Sequence, residues 1–276
     1  MIVSYDGTNY HGWQIQDNGD TIEGELNKAI KRLTGETVEV IGASRTDAGV
    51  HGLCNRAVFD TESTVPAEKF AAALNSFLPD DIRVRESKEV DDNWHPRKCS
   101  THKTYEYVID VGEVADPRLR NYAWHVRGPL DAEAMKKAAG FFLGEHDFTS
   151  FCSVNGTALT NVRRIVNIRL EVLPRQLSGA LGENGALGEN GALGENGAVF
   201  EDKLGEVLIS GRIVIRITGT GFLYNMVRII AGTLVHVGMG RFAAEDITGM
   251  IEAKDRTVAG PTAPPQGLTL VEIRDV

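Results

Sequence analysis

Residues Gly42 to Gly52 read GASRTDAGVHG and lie between two stretches with strand character, Val38-Glu39-Val40-Ile41 and Cys54 to Phe59. The stretch is rich in Gly and Ala, so its backbone can turn sharply and something bulky can come close. One carboxylate, Asp47, sits in it, with the cation Arg45 two positions before. A lone Asp exposed on such a loop and kept ionised by an Arg is suited to act as a nucleophile or general base. The same residues also describe an ordinary turn with a local ion pair, since most loops carry no function. Strands on both sides would give the loop rigid supports at a sheet edge, as a positioned catalytic group needs.

Outward from the loop, the first hundred residues follow the order β-α-β-β-α-β of a ferredoxin-like split unit. Ile2 to Tyr5 reads as a strand that stops at Asp6-Gly7. Ile22, Leu26, Ile30 and Leu33 recur at helical spacing behind an expected capping box at Asp20 to Glu23, and Gly35 ends that helix. Pro66 to Leu78 reads as a second amphipathic helix and Asp81 to Val90 as the returning strand. Between the first strand and helix, Asn9-Tyr10-His11-Gly12-Trp13-Gln14 is dense in aromatic and polar side chains, fit either to touch a base or sugar or to anchor the loop in the core. Trp94-His95-Pro96-Arg97-Lys98 breaks the pattern and sets an expected boundary between a domain at 1–98, carrying the Asp47 loop, and one at 99–276. His95, Arg97, Lys98, His102 and Lys103 form the densest positive cluster, either a solvated linker or an edge that contacts phosphate.

The second half opens with strict alternation. Lys103, Tyr105, Tyr107, Ile109 and Val111 share one strand face, and two tyrosines beside a cation can offer a stacking platform for a base or simply cover a core edge. Asp131 to Leu143 reads as a helix, Val162 to Val172 as a strand and Val207 to Thr218 as its partner. Between those strands the hexapeptide GALGEN runs three times from Gly179 to Asn196. It has one large apolar residue per repeat and cannot bury enough surface to offset ordering its backbone, so 177–200 is expected to be an insertion in a hairpin. Gly219-Thr220-Gly221 lacks the third glycine of a dinucleotide fingerprint. The helix expected from Phe222 is the most hydrophobic of the chain, yet it contains Arg228, a charge that needs a partner there. A helix over Ala243 to Lys254 and a strand over Leu268 to Ile273 follow.

Across all 276 residues the net charge is −9 and hydrophobic residues make up 42%. That is a globular composition, and its acidity leaves room only for a local basic surface if the ligand is nucleic acid. Cys54, Cys99 and Cys152 are scattered without a CxxC, which suggests reduced thiols in the cytoplasm. No signal-peptide pattern or membrane-length apolar run is present, so no membrane partner is expected.

Taken together, YDGTNYHGWQ (Tyr5–Gln14), RTDAGVH (Arg45–His51), KTYEY (Lys103–Tyr107), GEHDFTSF (Gly144–Phe151), FLYNMVRIIAGTL (Phe222–Leu234) and AKDRT (Ala253–Thr257) resemble the TruA family of tRNA pseudouridine synthases, in the family's order and over nearly the whole chain. The resemblance implies an isomerase that converts uridine to pseudouridine in the anticodon stem-loop of tRNA. It implies an α/β (α+β) fold of two domains whose antiparallel or mixed sheets join into one, with helices on one face and the active-site cleft between the domains. Asp47 matches the catalytic aspartate and Arg228 the basic residue paired with it. Tyr105 matches the tyrosine that stacks on the target uridine. Arg45 matches an arginine that helps open the stem, and His51 closes the same motif among the substrate-contacting residues. Family members act as homodimers on tRNA with neither metal nor organic cofactor. The chain departs from the family at Ser44, usually Gly, at WHPRK in place of an aromatic-His-Ala-Arg-Phe, and in the GALGEN repeats.

Two other functions fit parts of the sequence. One is a non-catalytic RNA-binding or RNA-folding protein on the same scaffold. The other is a metal hydrolase using Asp47 with His51 or His95, for which no second carboxylate stands at ligand spacing near the histidines. The isomerase expectation makes the sharpest spatial claim: Asp47, Tyr105 and Arg228 converge in one cleft.

Overall fold

The computed structural model describes residues 1–154, 159–174, 199–201, 207–209 and 211–276. Of the 177–200 insertion, all but the last two positions lie outside the described residues. The fold is mixed α/β, with a ten-stranded mixed sheet and five α-helices among the described residues.

The first half runs β1 (Ile2–Tyr5), α1 (Ile22–Thr34), β2 (Ile41–Gly42), β3 (His51–Val58), α2 (Phe70–Asn75) and β4 (Ile82–Glu86), the order that the hydrophobic pattern predicts. The second runs β5 (Thr101–Val111), β6 (Trp124–Val126), β7 (Leu130–Asp131), α3 (Ala132–Gly140), β8 (Gly144–Asp147), β9 (Val162–Pro174), β10 (Val199–Glu201), β11 (Val207–Ile209), β12 (Gly211–Gly219), α4 (Met226–Gly238), α5 (Asp246–Ala253) and β13 (Leu268–Asp275). The large sheet is ordered β4-β1-β3-β13-β5-β12-β9-β8, with β2 on β3 and β6 on β5, and a small sheet joins β10, β11 and β7.

β13 decides how the two halves meet. It pairs parallel with β3 and antiparallel with β5, and its Leu270 stands opposite both Gly52 and Tyr105. The strand leaving the Asp47 loop and the strand carrying Tyr105 are therefore fixed to a common neighbour. β1 takes the other edge of β3, so β2 and β13 share one edge at opposite ends.

Alternation along β5 works as the sequence predicts. Tyr105, Tyr107, Ile109 and Val111 are buried and stand opposite Ile217, Ile215, Ile213 and Gly211 of β12 in register. On the other face, Arg216 Nε donates to Glu106 Oε2 across the same strand pair at 2.7 Å. Two apolar clusters form. One is built from Val3, Leu26, Ile30, Phe70, Leu74 and Ile82, and the other from β5, β12, α3 and α4.

Several local expectations shift. Thr21 caps α1 by accepting from Gly24 N–H at 3.2 Å, but the third helical position is that glycine, so no reciprocal capping box exists. The strand expected at Val38–Ile41 shrinks to Ile41–Gly42 because Val40 N–H donates to the Asn27 side chain of α1 instead of to a ladder. The helix expected at Pro66–Leu78 divides into a 3-10 turn at Ala67–Lys69 and a short α2. Asn75 then bonds Val84 in both directions at 2.8 Å and ties that end to β4. The helix expected from Phe222 begins only at Met226, because Asn225 adopts φ 60.

Candidate active site

The Gly42–Gly52 loop is held from three sides. Ala43 N–H donates to the Arg56 carbonyl at 2.7 Å, and Asn55 bonds Ser44 twice, accepting from its N–H at 3.1 Å and donating to its carbonyl at 2.9 Å. Trp13 N–H donates to the Thr46 carbonyl, and the Tyr5 and Thr46 hydroxyls lie 2.8 Å apart. Gly12 has to be glycine: its φ is +90, and a Cβ there would stand 2.6 Å from the Thr46 carbonyl. Tyr10 and Trp13 are buried, so the aromatic segment near the start of the chain anchors the loop in the core. From β5, Lys103 Nζ donates to the Ala43 carbonyl at 2.7 Å. Burial, and secondarily the charge of Arg97, push the Lys103 ammonium down to about 8.

Asp47 projects from this frame with its side chain 23% exposed. Its Oδ2 lies 3.7 Å from Arg228 Nη1 on α4. Burial raises the pKa of the Asp47 carboxyl above its ordinary value, and Arg228 pulls it back part of the way. The helix can carry that charge because the guanidinium is well partnered. Nε donates to the Ala263 carbonyl and Nη1 to Asn225 Oδ1, both at 2.7 Å. Tyr105 is buried, with its ring in edge contact with Phe222 at 5.2 Å. Burial pushes its phenol up to about 12, and the Asp47 charge acts in the same direction.

Asp47, Tyr105 and Arg45 line one pocket of about 360 Å³ together with Gln14, Phe222 and Asn225. Arg45 is exposed there, and its charge adds to the burial that lowers the guanidinium of Arg97. A larger hollow of about 1110 Å³ lies elsewhere and is lined by Glu62, Glu86, Asp91 and Asp275 among others. Size alone would choose that hollow, but its carboxylates would repel phosphate and it lacks Asp47 and Tyr105.

His51 stands apart from the pocket. It is 4% exposed, with Nδ1 3.0 Å from Gly7 N and 3.1 Å from Asp6 Oδ1, and Nε2 2.8 Å from the Asn121 carbonyl. Both ring nitrogens are engaged inside the protein, which fits a joint between β3 and its neighbours better than a substrate contact. Tyr107 is likewise structural: it is fully buried and donates to the Pro264 carbonyl at 2.8 Å. Among the described residues, no three His, Cys, Asp or Glu side chains converge as metal ligands would, and no helix is long and apolar enough to cross a membrane.

Sequence reasoning passed over Asn225 and the Ala263 carbonyl. The carbonyl leaves no mark in a sequence. The asparagine just before MVR could have been noticed, because Asn is the non-glycine residue most at ease at positive φ.

Comparison with known proteins bears on the chain as a whole. The sequence model of one protein family, described as tRNA pseudouridine synthase, matches residues 1–97 and 138–274. The chain is 43% identical over 273 residues to a protein of Thermoanaerobacter sp. (strain X514) named tRNA pseudouridine synthase A, covering 99% of this chain and 97% of that one. It is 44% identical, with the same coverage, to a protein of that name from Acetivibrio thermocellus. It is 43% identical to tRNA pseudouridine synthase A 2 of Clostridium tetani, covering 99% of this chain and 96% of that one.

Proposed function

The chain belongs to the tRNA pseudouridine synthase family, and we propose that it isomerises uridine in the anticodon stem-loop of tRNA, with Asp47 as the catalytic carboxylate and Arg228 as its cationic partner. The observation that carries the assignment is that Asp47 lines a pocket together with Tyr105 while Arg228, behind that wall, stands 3.7 Å from its carboxylate.

The reaction breaks the bond from N1 of the base to the sugar and forms one from C5. N1 gains a proton and C5 loses one, with no change of oxidation state. Three routes are open to an aspartate here: attack on the sugar, attack on the base, and abstraction of a sugar proton. All three need a carboxylate that is ionised yet stripped of water. Burial supplies the second condition and Arg228 the first.

A uridine in a stem or loop must leave its stack to reach Asp47, at a cost that stacking on Tyr105 helps to offset. Arg45, exposed on the catalytic loop, holds the opened strand or fills the space the base vacates. His51 drops out of the substrate-contact set because its ring is enclosed. An acidic protein can still hold RNA through the local cations Arg45, Arg97 and Lys103 near this loop.

We further propose two α/β domains, 1–98 and 99–276, with the pocket between them. The two separate apolar clusters support that division, one drawn wholly from residues of the first half. A homodimer acting in the cytoplasm on tRNA, without metal or organic cofactor, completes the proposal by family analogy.

Two measurements test it. Purified protein should form pseudouridine on transcribed tRNA, and Asp47→Ala should abolish it; an active Asp47→Ala protein defeats the catalytic assignment. Pseudouridine mapping of total tRNA from cells with and without the protein should show loss confined to the anticodon stem-loop. Loss at other positions defeats the substrate assignment.

A further inference from the structure

The helix that carries Arg228 starts in an unusual way. Asn225 at its N-cap sits at φ 60, ψ 6, and among the described residues only Lys254 shares a positive φ without being glycine. Residues other than glycine adopt this conformation at a cost, and such cost collects at functional sites. An N-cap asparagine ordinarily uses its side-chain oxygen to accept from the first turn of its own helix. Asn225 makes no such bond. Its Oδ1 accepts from Arg228 Nη1 at 2.7 Å, and its Nδ2 donates to Ser153 Oγ at 2.9 Å. The helix gives up its cap, and the side chain serves the arginine.

The guanidinium is thereby fixed on two sides, by Asn225 at Nη1 and by the Ala263 carbonyl at Nε. Its approach to Asp47 stops at 3.7 Å, well beyond the roughly 2.7–2.9 Å of a charge-assisted hydrogen bond. Closer contact would keep Asp47 ionised but would occupy the lone pairs that must react. At the observed distance the charge is still felt, and the contact stays longer than a tight charge-assisted bond.

We propose that Asn225 is a positioning residue that holds Arg228 at a set distance from Asp47, so that the carboxylate is charged but not bonded tightly. This rests on Asp47 being the catalytic carboxylate. The charged and titratable groups about Asp47 are Arg228 from α4, the Tyr105 phenol from β5, and Arg45 on its own loop and Tyr224 just before α4, which both line the same pocket.

The test compares wild type with Asn225→Ala, Asn225→Gly and Asn225→Asp in single-turnover pseudouridine formation on transcribed tRNA, across the acid and neutral range. Glycine accepts the left-handed backbone without strain, so it isolates loss of the amide from any failure to fold. With the amide gone, Arg228 closes on Asp47. The rate should fall on the order of tenfold or more with KM for tRNA little changed, and the acid limb should move to lower pH. Asn225→Asp keeps an oxygen for Arg228 and adds a negative charge beside the site, so its acid limb should move to higher pH. Opposite displacements are what a merely structural asparagine would not produce. Wild-type rates in Asn225→Ala and Asn225→Gly, or a loss common to all three variants with the acid limb unmoved, overturn the proposal. A wild-type protein that forms no pseudouridine on any tRNA would instead sink the underlying function.

Discussion

Removing the Asn55 side chain should loosen the Asp47 loop although Asn55 does not line the pocket. Asn55 is fully buried on β3, and its amide is the partner of both the N–H and the carbonyl of Ser44. In Asn55→Ala both backbone groups lose that partner inside the protein. A stranded buried polar group costs about 1–3 kcal/mol, and one water admitted to the vacated space would recover part of the loss. The expected destabilisation is therefore roughly 2–4 kcal/mol, a large share of the ~5–15 kcal/mol that holds a domain together. At roughly 2–4 °C per kcal/mol, the melting temperature should drop by about 5–15 °C. Equilibrium urea unfolding reads the free energy, and single-turnover pseudouridine formation reads the site. Because Asp47 sits three residues beyond Ser44, a small displacement should lower the rate by about tenfold to a hundredfold. The exposed Asn9→Ala serves as control and should stay within about 0.5 kcal/mol of wild type. An Asn55→Ala protein as stable as that control would refute the view that this two-way bond holds the loop.

Other perturbations probe separate parts of the structure. The Lys103 ammonium, lowered in the fold to about 8 from 10.5, costs stability below pH 8, and that cost is relieved as pH rises through this window. The wild type should therefore gain on Lys103→Met between these pH values, on the order of 2 kcal/mol, in urea melts at several pH values. Tyr105→Phe keeps the ring and should retain turnover within about tenfold, while Tyr105→Leu should lose a further tenfold to hundredfold if stacking on the base is its task. Equal losses in the two would point to the hydroxyl. Gly232→Ala puts a Cβ 1.9 Å from the Pro261 carbonyl on the buried side of α4 and should lower stability by about 2 kcal/mol or more in a thermal melt. A neutral effect would mean that the 260s segment yields easily.

Much of this was legible in the sequence where the governing interactions are local. Tyr105, Tyr107, Ile109 and Val111 advertise a strand by their two-residue period, and Ile22, Leu26 and Ile30 advertise a helix by theirs. Arg228 in an apolar helix announced that it needed partners, and it has three. What stayed hidden depends on distant chain. Nothing in Leu268 to Asp275 says that this strand enters the middle of the sheet, since pairing is chosen by packing across more than two hundred residues. The strand expected at Val38–Ile41 lost its ladder to one side-chain bond from Asn27. His51 carried a functional expectation because it ends the RTDAGVH motif, yet a histidine reads alike in a sequence whether its nitrogens face a ligand or the Asn121 carbonyl.

The central seat of β13 also bears on when the protein becomes active. That strand follows Asp47, Tyr105 and Arg228 in the chain, so synthesis delivers it after all three. A nascent chain that has reached Gly267 already holds every proposed reacting group, but Gly52 and Tyr105 lack the residue that stands between their strands. Pairing across so long a separation is slow to form and comes late. A chain ended at Gly267 should be inactive on tRNA, and a folding intermediate should share that defect, so that uridine chemistry begins only when the last strand closes the seam.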